Sequence, residues 1–407
     1  MRRAIVKTLD GVALVFGFAL AVSCLAPGSV AAQGQFAGVE IEGKEHLSRL
    51  LTVLQSRAAT PATGRVRITH LGDSHVAADL WTGQLRARLQ AQFGDGGRGY
   101  ISAGRPWPSF GQQHVRSEQQ GDWRTDGLRD GLDDGLLGPS TCGVASRESG
   151  AFVRVATGIK TTVARTFSRL EVHYLRQPMG ACAEVLVDGR LSARFSTRGP
   201  WAEPAVFGLD VENLSHDIRL RVAESSNTAE VRLLGFDLTR GEGIIVDALG
   251  INGAQGRRLL RQDPTTFQSV FAALSPSLLL ISYGTNELFD RNLSMTTYAR
   301  DLDTTLRLLR ASAPGADCLL TGPFDQLKGR RPPVNIDALY GVQREAAARN
   351  GCAFWDARSA MGGAGSVRAW RKRALVQKDM VHLTGGGYAK MGDLLADALI
   401  QLAQAPR

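Results

Sequence analysis

Four short polar clusters in this chain of 407 residues carry residue types suited to acyl transfer. They are Gly72-Asp73-Ser74-His75, Asn252-Gly253, Gly284-Thr285-Asn286-Glu287 and Asp379-Met380-Val381-His382. A serine hydroxyl is a poor nucleophile until a neighbouring base takes its proton. His382 can be that base, and Asp379, three residues earlier, can hold the other ring nitrogen and stabilise its charge. A tetrahedral intermediate also needs donors aimed at its oxyanion. The backbone N–H groups of Ser74 and Gly253 and the side-chain amide of Asn286 are of the right kind. Each cluster alone has a plainer account. Gly-Asp-Ser is an ordinary turn, Gly-Thr-Asn-Glu can cap a helix, and Asp-x-x-His can be a surface pair. Their order, and where they fall between secondary-structure elements, set them apart.

The elements that must position them read as follows. "RVRITHLG" is a strand ending at the first cluster, and "AADLWTGQLRARLQAQFG" repeats apolar residues at helical spacing through Trp81, Leu85, Leu89 and Phe93. "GDGGRGY" stops that helix in glycines. Further on, "GIIVDALG", "SLLLISYG", "DCLLTGP" and "CAFWDA" are strands, and "PTTFQSVFAAL", "SMTTYARDLDTTLRLLRASAP" and "NIDALYGVQREAAARNG" are the helices between them. A last helix covers "GGYAKMGDLLADALIQLAQ". Strands alternating with helices predict a parallel sheet covered on both faces, with ligands beyond the carboxyl ends of its strands. Residues 33–64 read as a mixed lead-in ending in a loop.

Between about Ser117 and Arg240 the texture differs. "SRLEVHYLRQP", "CAEVLVDGRLSARFST", "HDIRLRVAES" and "AEVRLLGFDLT" alternate over short stretches with turn residues between them, which predicts an all-β module of sandwich or jelly-roll type. "VDGR" is a hairpin turn.

The four clusters together resemble blocks I, II, III and V of the SGNH/GDSL hydrolases, over most of residues 65–112 and 243–403. The resemblance implies a flavodoxin-like α/β/α sandwich. It makes Ser74 the nucleophile, adds Gly253 and Asn286 to the oxyanion hole, and completes a triad with Asp379 and His382. One departure is that His75 stands where leucine is common. "GDSH", "FGDGGRGY", "DALGINGA" and "MGGAGSVRAW…DMVHLTGGGY" look like a subgroup similar to bacterial peptidoglycan O-acetylesterases, which carry a carbohydrate-binding-like β-module between blocks I and II. The implied domains are 33–116 and 241–407 for the hydrolase and 117–240 for the insert. The implied activity is hydrolysis of O-acetyl esters on a polysaccharide, peptidoglycan first, by an exported serine esterase. An acetyltransferase, an esterase for another glycan or a lipid, and a non-catalytic wall-binding protein stay open beside it.

Other candidates are weighed one by one. His75 lines the site and binds substrate, or packs its loop. Trp370 and the Met361–Gly365 loop border the cleft, with a structural role by default. His70 is a satisfied core histidine, Glu287 a helix N-terminal charge, and Asp73 an organiser of the Ser74 turn. Trp123 and Trp201 could stack on a sugar, though core packing of the module accounts for each. Lys328–Pro333 is an exposed basic loop.

Residues 1–32 have a positive start, an apolar run broken by Gly17 and Ser23, and small residues for cleavage after Ala32, which together read as a signal peptide. Lipidation at Cys24 is a second possibility, and export to the periplasm or outside follows from either. The net charge of +9 falls to +7 once Arg2, Arg3, Lys7 and Asp10 are removed. It is scattered, with no nucleic-acid motif, and no membrane span is expected in the mature chain. Of the remaining cysteines, 142 with 182 and 318 with 352 are the sequence-local pairs. No Cys-x-x-Cys or paired histidine suggests a metal, and the proposed chemistry needs no cofactor.

Overall fold

The structure, a computed structural model, describes residues 38–59, 64–108, 110–127, 132–158, 163–223 and 228–405. The expected signal peptide and Cys24 lie outside the described residues. Five parallel strands, here β1 (Arg65–Gly72), β2 (Gly243–Gly250), β3 (Leu278–Ser282), β4 (Asp317–Thr321) and β5 (Ala353–Trp355), form one sheet in the order β2-β1-β3-β4-β5. This is the flavodoxin-like order, in which the chain reverses its direction of winding beside β1.

The strands are apolar on both faces because both faces are covered. In β3, Leu278 and Leu280 join one core with Trp81, Trp355 and Leu395, while Leu279 and Ile281 join another with Phe267, Phe271 and Leu306. Helices Leu80–Phe93 and Gly385–Gln404 supply the first core, and Pro264–Leu274, Met295–Ser312 and Ile336–Arg349 the second. Asp263, Ser294 and Thr384 cap three of these helices by accepting from backbone N–H groups of the first turn. The expected lead-in contains a helix, Ser48–Ala59, whose Leu50 and Leu54 are buried in the first core.

Between β1 and β2 in the chain lie two antiparallel sheets. One runs Glu203–Leu214, Phe167–Arg176, Val231–Thr239, Gly143–Ser146, Arg124–Asp126, with Gly97–Ser102 also paired to Val231–Thr239. The other runs Val115–Gln120, Phe152–Thr157, Asp217–Val222, Cys182–Val187, Arg190–Ser196. They share one apolar core that includes Val153, Leu170, Val172, Leu220 and Phe236. Antiparallel pairing thus begins at Gly97, ahead of the expected Ser117. Asp188 and Gly189, at φ 51° and 81°, make the two-residue turn of the expected hairpin. Trp123 packs in this core, whereas Trp201 is 61% exposed.

Cys318 and Cys352 form a disulfide linking β4 to the residue before β5. Cys142 and Cys182 do not pair. Cys142 is buried beside Ser140, and Cys182 stands exposed at the start of a strand in the other antiparallel sheet. Among the described residues no helix is long and apolar enough to cross a membrane.

Candidate active site

The carboxyl ends of β1, β2 and β3 are level, because Gly72 pairs with both Gly250 and Ser282. Ser74 opens a four-residue helix directly after β1. Asp73 caps it, its carboxylate accepting from the His75 N–H at 3.0 Å. Burial pushes the Asp73 carboxyl up to about 6, against that hydrogen bond and one from Thr285. The β2 end packs so close to this turn that a Cβ at Gly250 would stand 2.1 Å from Ala77 N. Only glycine permits that approach.

His382 reaches Ser74 from the loop before the last helix. Its Nε2 is 2.9 Å from Ser74 Oγ, and its Nδ1 is 2.6 Å from Asp379 Oδ2. An ionised carboxylate can only accept, so Nδ1 carries the proton and Nε2 is left as acceptor toward the serine. The other Asp379 oxygen accepts from the backbone N–H groups of Val381 and His382 at 3.0 Å each. Burial raises the Asp379 carboxyl, but these hydrogen bonds outweigh it and hold the group below its ordinary value. Met380, between the two, has φ 62°, a conformation that L side chains seldom adopt. Gln377, which the sequence patterns did not single out, fixes the loop. Its N–H donates to His382 O at 2.7 Å and its side-chain amide to Leu383 O at 2.9 Å.

Asn286 follows β3. Its side-chain amide donates to Ala254 O at 2.8 Å, which pins the plane of the group and leaves its second N–H to donate. Gly253, exposed after β2, has φ 75°. Glu287 stands in the first turn of a short helix, Glu287–Phe289, as expected. It is buried and accepts from Gly256 N–H at 2.8 Å, tying the β2 and β3 loops together a second time. Burial pushes its carboxyl up to about 7. A cleft lined by Gln255, Arg257, Tyr283 and Tyr298 borders the Glu287 side of this loop.

Of the two readings of His75 and of Trp370, substrate contact or packing, their burial fits packing. His75 is buried beneath the site. Its ring lies 5.3 Å from that of His382, and its Nδ1 is 2.8 Å from Tyr388 Oη. Desolvation lowers its pKa to about 3, so it is a neutral packing group. Trp370 is 2% exposed within the first core, its indole N–H donating to Met361 O at 2.8 Å. The apolar face of its helix must pack inward, which turns the ring away from solvent. His70 is the satisfied core histidine expected, held between Thr82 and Ser282 at 2.8 Å each. Lys328–Pro332 are exposed, and Pro333 is buried.

Residues 217–390 match the GDSL-like Lipase/Acylhydrolase family. That span contains Gly253, Asn286, Asp379 and His382 but not Ser74, which the antiparallel strands separate from it in the chain. No curated protein matches the sequence. Among solved structures, one described as a peptidoglycan O-acetylesterase in action aligns over 88% of this chain and 97% of its own, with a TM-score of 0.74 and 26% identity. A lipase/acylhydrolase from Enterococcus faecalis aligns over 39% of this chain and 75% of its own, at TM-score 0.31 and 22% identity. A family two carbohydrate esterase from Clostridium thermocellum, in complex with cellohexaose, aligns over 64% and 94%, at 0.32 and 14%. The last two scores are too low to bear on the function. The family match and the first structure together make this chain an esterase of the SGNH/GDSL hydrolase type that resembles peptidoglycan O-acetylesterases.

Proposed function

We propose that the chain is an exported esterase that removes O-acetyl groups from a polysaccharide, with bacterial peptidoglycan as first substrate, through Ser74, His382 and Asp379. The observation that carries this reading is the unbroken line from Ser74 Oγ through the His382 ring to the Asp379 carboxylate. The likeness to a peptidoglycan O-acetylesterase supports the choice of polymer, and the signal-like residues 1–32 support export.

Ser74 Oγ attacks the acetyl carbonyl while His382 Nε2 takes its proton. The N–H groups of Ser74, Gly253 and Asn286 Nδ2 receive the oxyanion. As the tetrahedral intermediate collapses, His382 returns the proton to the sugar oxygen and the acetyl group stays on Ser74. Water, deprotonated by His382, attacks this ester, and His382 gives that proton to Ser74 Oγ as acetate leaves. Asp379 keeps the ring in the one tautomer that can do this and balances its charge. We read the antiparallel sheets as one inserted module that shapes the approach of the polymer.

The test is hydrolysis of a chromogenic acetate ester by wild type and Ser74→Ala, followed by acetate release from O-acetylated peptidoglycan and from acetylated xylan. Wild type should cleave the ester and the variant should not. Equal activity in the two would remove Ser74 from the mechanism. Release from xylan but not peptidoglycan would replace the polymer and leave the esterase standing.

A further inference from the structure

Away from Ser74, the antiparallel strands meet the parallel sheet across a buried layer of charge. In strand Phe167–Arg176, Leu170, Val172 and Tyr174 belong to the antiparallel core, so Glu171 and His173 turn to the opposite face. Asp237 of the neighbouring strand stands directly across the ladder from Glu171, and Gly235 across from His173. Arg67 of β1 donates to Asp237 at 2.5 Å and to Asp247 of β2 at 2.9 Å. One buried guanidinium therefore serves two buried carboxylates, while a third faces one of them across the ladder. Like charges in that position repel.

Two atoms of this layer are left over. His173 Nε2 and Asp237 Oδ1 are buried without a hydrogen-bond partner, on side chains only 2% and 1% exposed. Such atoms are costly unless something meets them. A ring nitrogen of His173, a carboxylate oxygen of Glu171 and one of Asp237 lie within 4.8 Å of one another. The two orphaned atoms each expose less than 1 Å², which leaves little room for a water. A bare cation needs less, since it sits roughly 2 Å from each ligand, inside the triangle they make. Glu171 is partly exposed and offers a way in. Arg169 donates to only one Glu171 oxygen, at 3.4 Å.

We propose that Glu171, His173 and Asp237 form a binding site for a divalent transition-metal cation of the zinc type, at the junction of the antiparallel and parallel sheets. An imidazole nitrogen with two carboxylate oxygens suits such an ion, whereas calcium and magnesium prefer all-oxygen shells. The ion's role is structural: it meets the unpartnered atoms of His173 and Asp237 and ties Phe167–Arg176 to Val231–Thr239. The ligands come from two strands far apart in sequence, so no local spacing announces them.

The test uses the full chain, stripped of metal with a chelator and titrated with Co²⁺ and then Zn²⁺. One Co²⁺ per chain should bind with visible d–d absorption, and Zn²⁺ should displace it and raise the Tm. Supporting groups around a metal are commonly worth about 10–100-fold in affinity, so loss of a ligand in Glu171→Gln should weaken binding at least that much. His173→Gln should abolish it, and His382→Ala should bind as wild type does. Glu171→Gln changes a partly exposed side chain, so it remains a fair test if His173→Gln does not fold. No saturable binding in wild type, undiminished binding in either ligand variant, or loss only in His382→Ala overturns the proposal.

Discussion

At His382 the ring is held from both ends, and the two ends do different work. Asp379 fixes which nitrogen carries the proton, and Ser74 Oγ meets the one that does not. Asparagine at 379 could present its amide N–H to Nδ1 and so stabilise the wrong tautomer. On the proposed mechanism Asp379→Asn should lower kcat by about 10³–10⁴-fold, with an unchanged far-ultraviolet dichroism spectrum showing that the chain is folded. Asn286 is held by Ala254 O before any substrate arrives, so its free N–H is preorganised. Asn286→Ala should cost about 10²–10³-fold in kcat, and a loss confined to KM would remove it from the oxyanion hole. These residues were legible in the sequence because each follows a strand end or precedes the last helix, where the fold leaves polar groups facing outward. For His75 and Trp370 the sequence left substrate contact and packing both open, because tertiary packing decides where the ring goes, and both rings lie in the core beneath the loops.

The loops after β2 and β3 behave as one element. Asn286 to Ala254, Gly256 to Glu287 and, at 3.4 Å, Gln255 to the Asn286 carbonyl join them. Burial pushes the Glu287 carboxyl up to about 7 from an ordinary 4.5. The folded chain therefore holds this proton more tightly than the unfolded chain does, and stability from this group falls as pH rises from about 4.5 to about 7. Glutamine keeps an oxygen for Gly256 N–H and removes the charge. Glu287→Gln should gain stability over wild type as pH rises through that window, read as the difference in urea midpoint. A difference independent of pH would mean that Glu287 is not protonated in the fold. In the core that Leu288 and Tyr283 of these loops also join, the Cys318–Cys352 bond closes a loop of sequence separation 34. Its removal in Cys318→Ala/Cys352→Ala should cost about 2–4 kcal/mol. The parallel strands were legible because burial on both faces demands continuous apolar runs. Val115–Gln120, sequence VRSEQQ, was not, because an edge strand with half-exposed residues carries no such pattern. Helix Ser48–Ala59 was hidden similarly, since it buries Leu50 and Leu54, with Leu51 at the core's edge, and leaves Val53 exposed.

At the scale of the molecule, what matters is whether the antiparallel strands are a passenger or part of one cooperative unit. Composition pointed to a separate module, because alternating strands and alternating strand–helix units differ in texture. It could not show how the two are joined, since that depends on side chains brought together from opposite ends of the insert. The join is polar and buried. Arg67 of β1 bridges Asp237 of the antiparallel sheet and Asp247 of β2, and Asp247 also accepts from Thr69 and from the Tyr100 backbone. Breaking one partner of a buried ionic group leaves uncompensated charge and typically costs about 3–5 kcal/mol. Arg67→Met strands two carboxylates at once, so its cost should lie at least in that range. Because the network spans both sheets, wild type should unfold in urea in a single transition seen alike by tryptophan fluorescence, with Trp81 and Trp355 in the α/β core and Trp123 in the antiparallel core, and by far-ultraviolet dichroism. Arg67→Met should move that transition to lower urea. If wild type instead shows two resolved transitions, the antiparallel strands fold on their own, and the buried charge layer is a contact between domains that does not bind them into one.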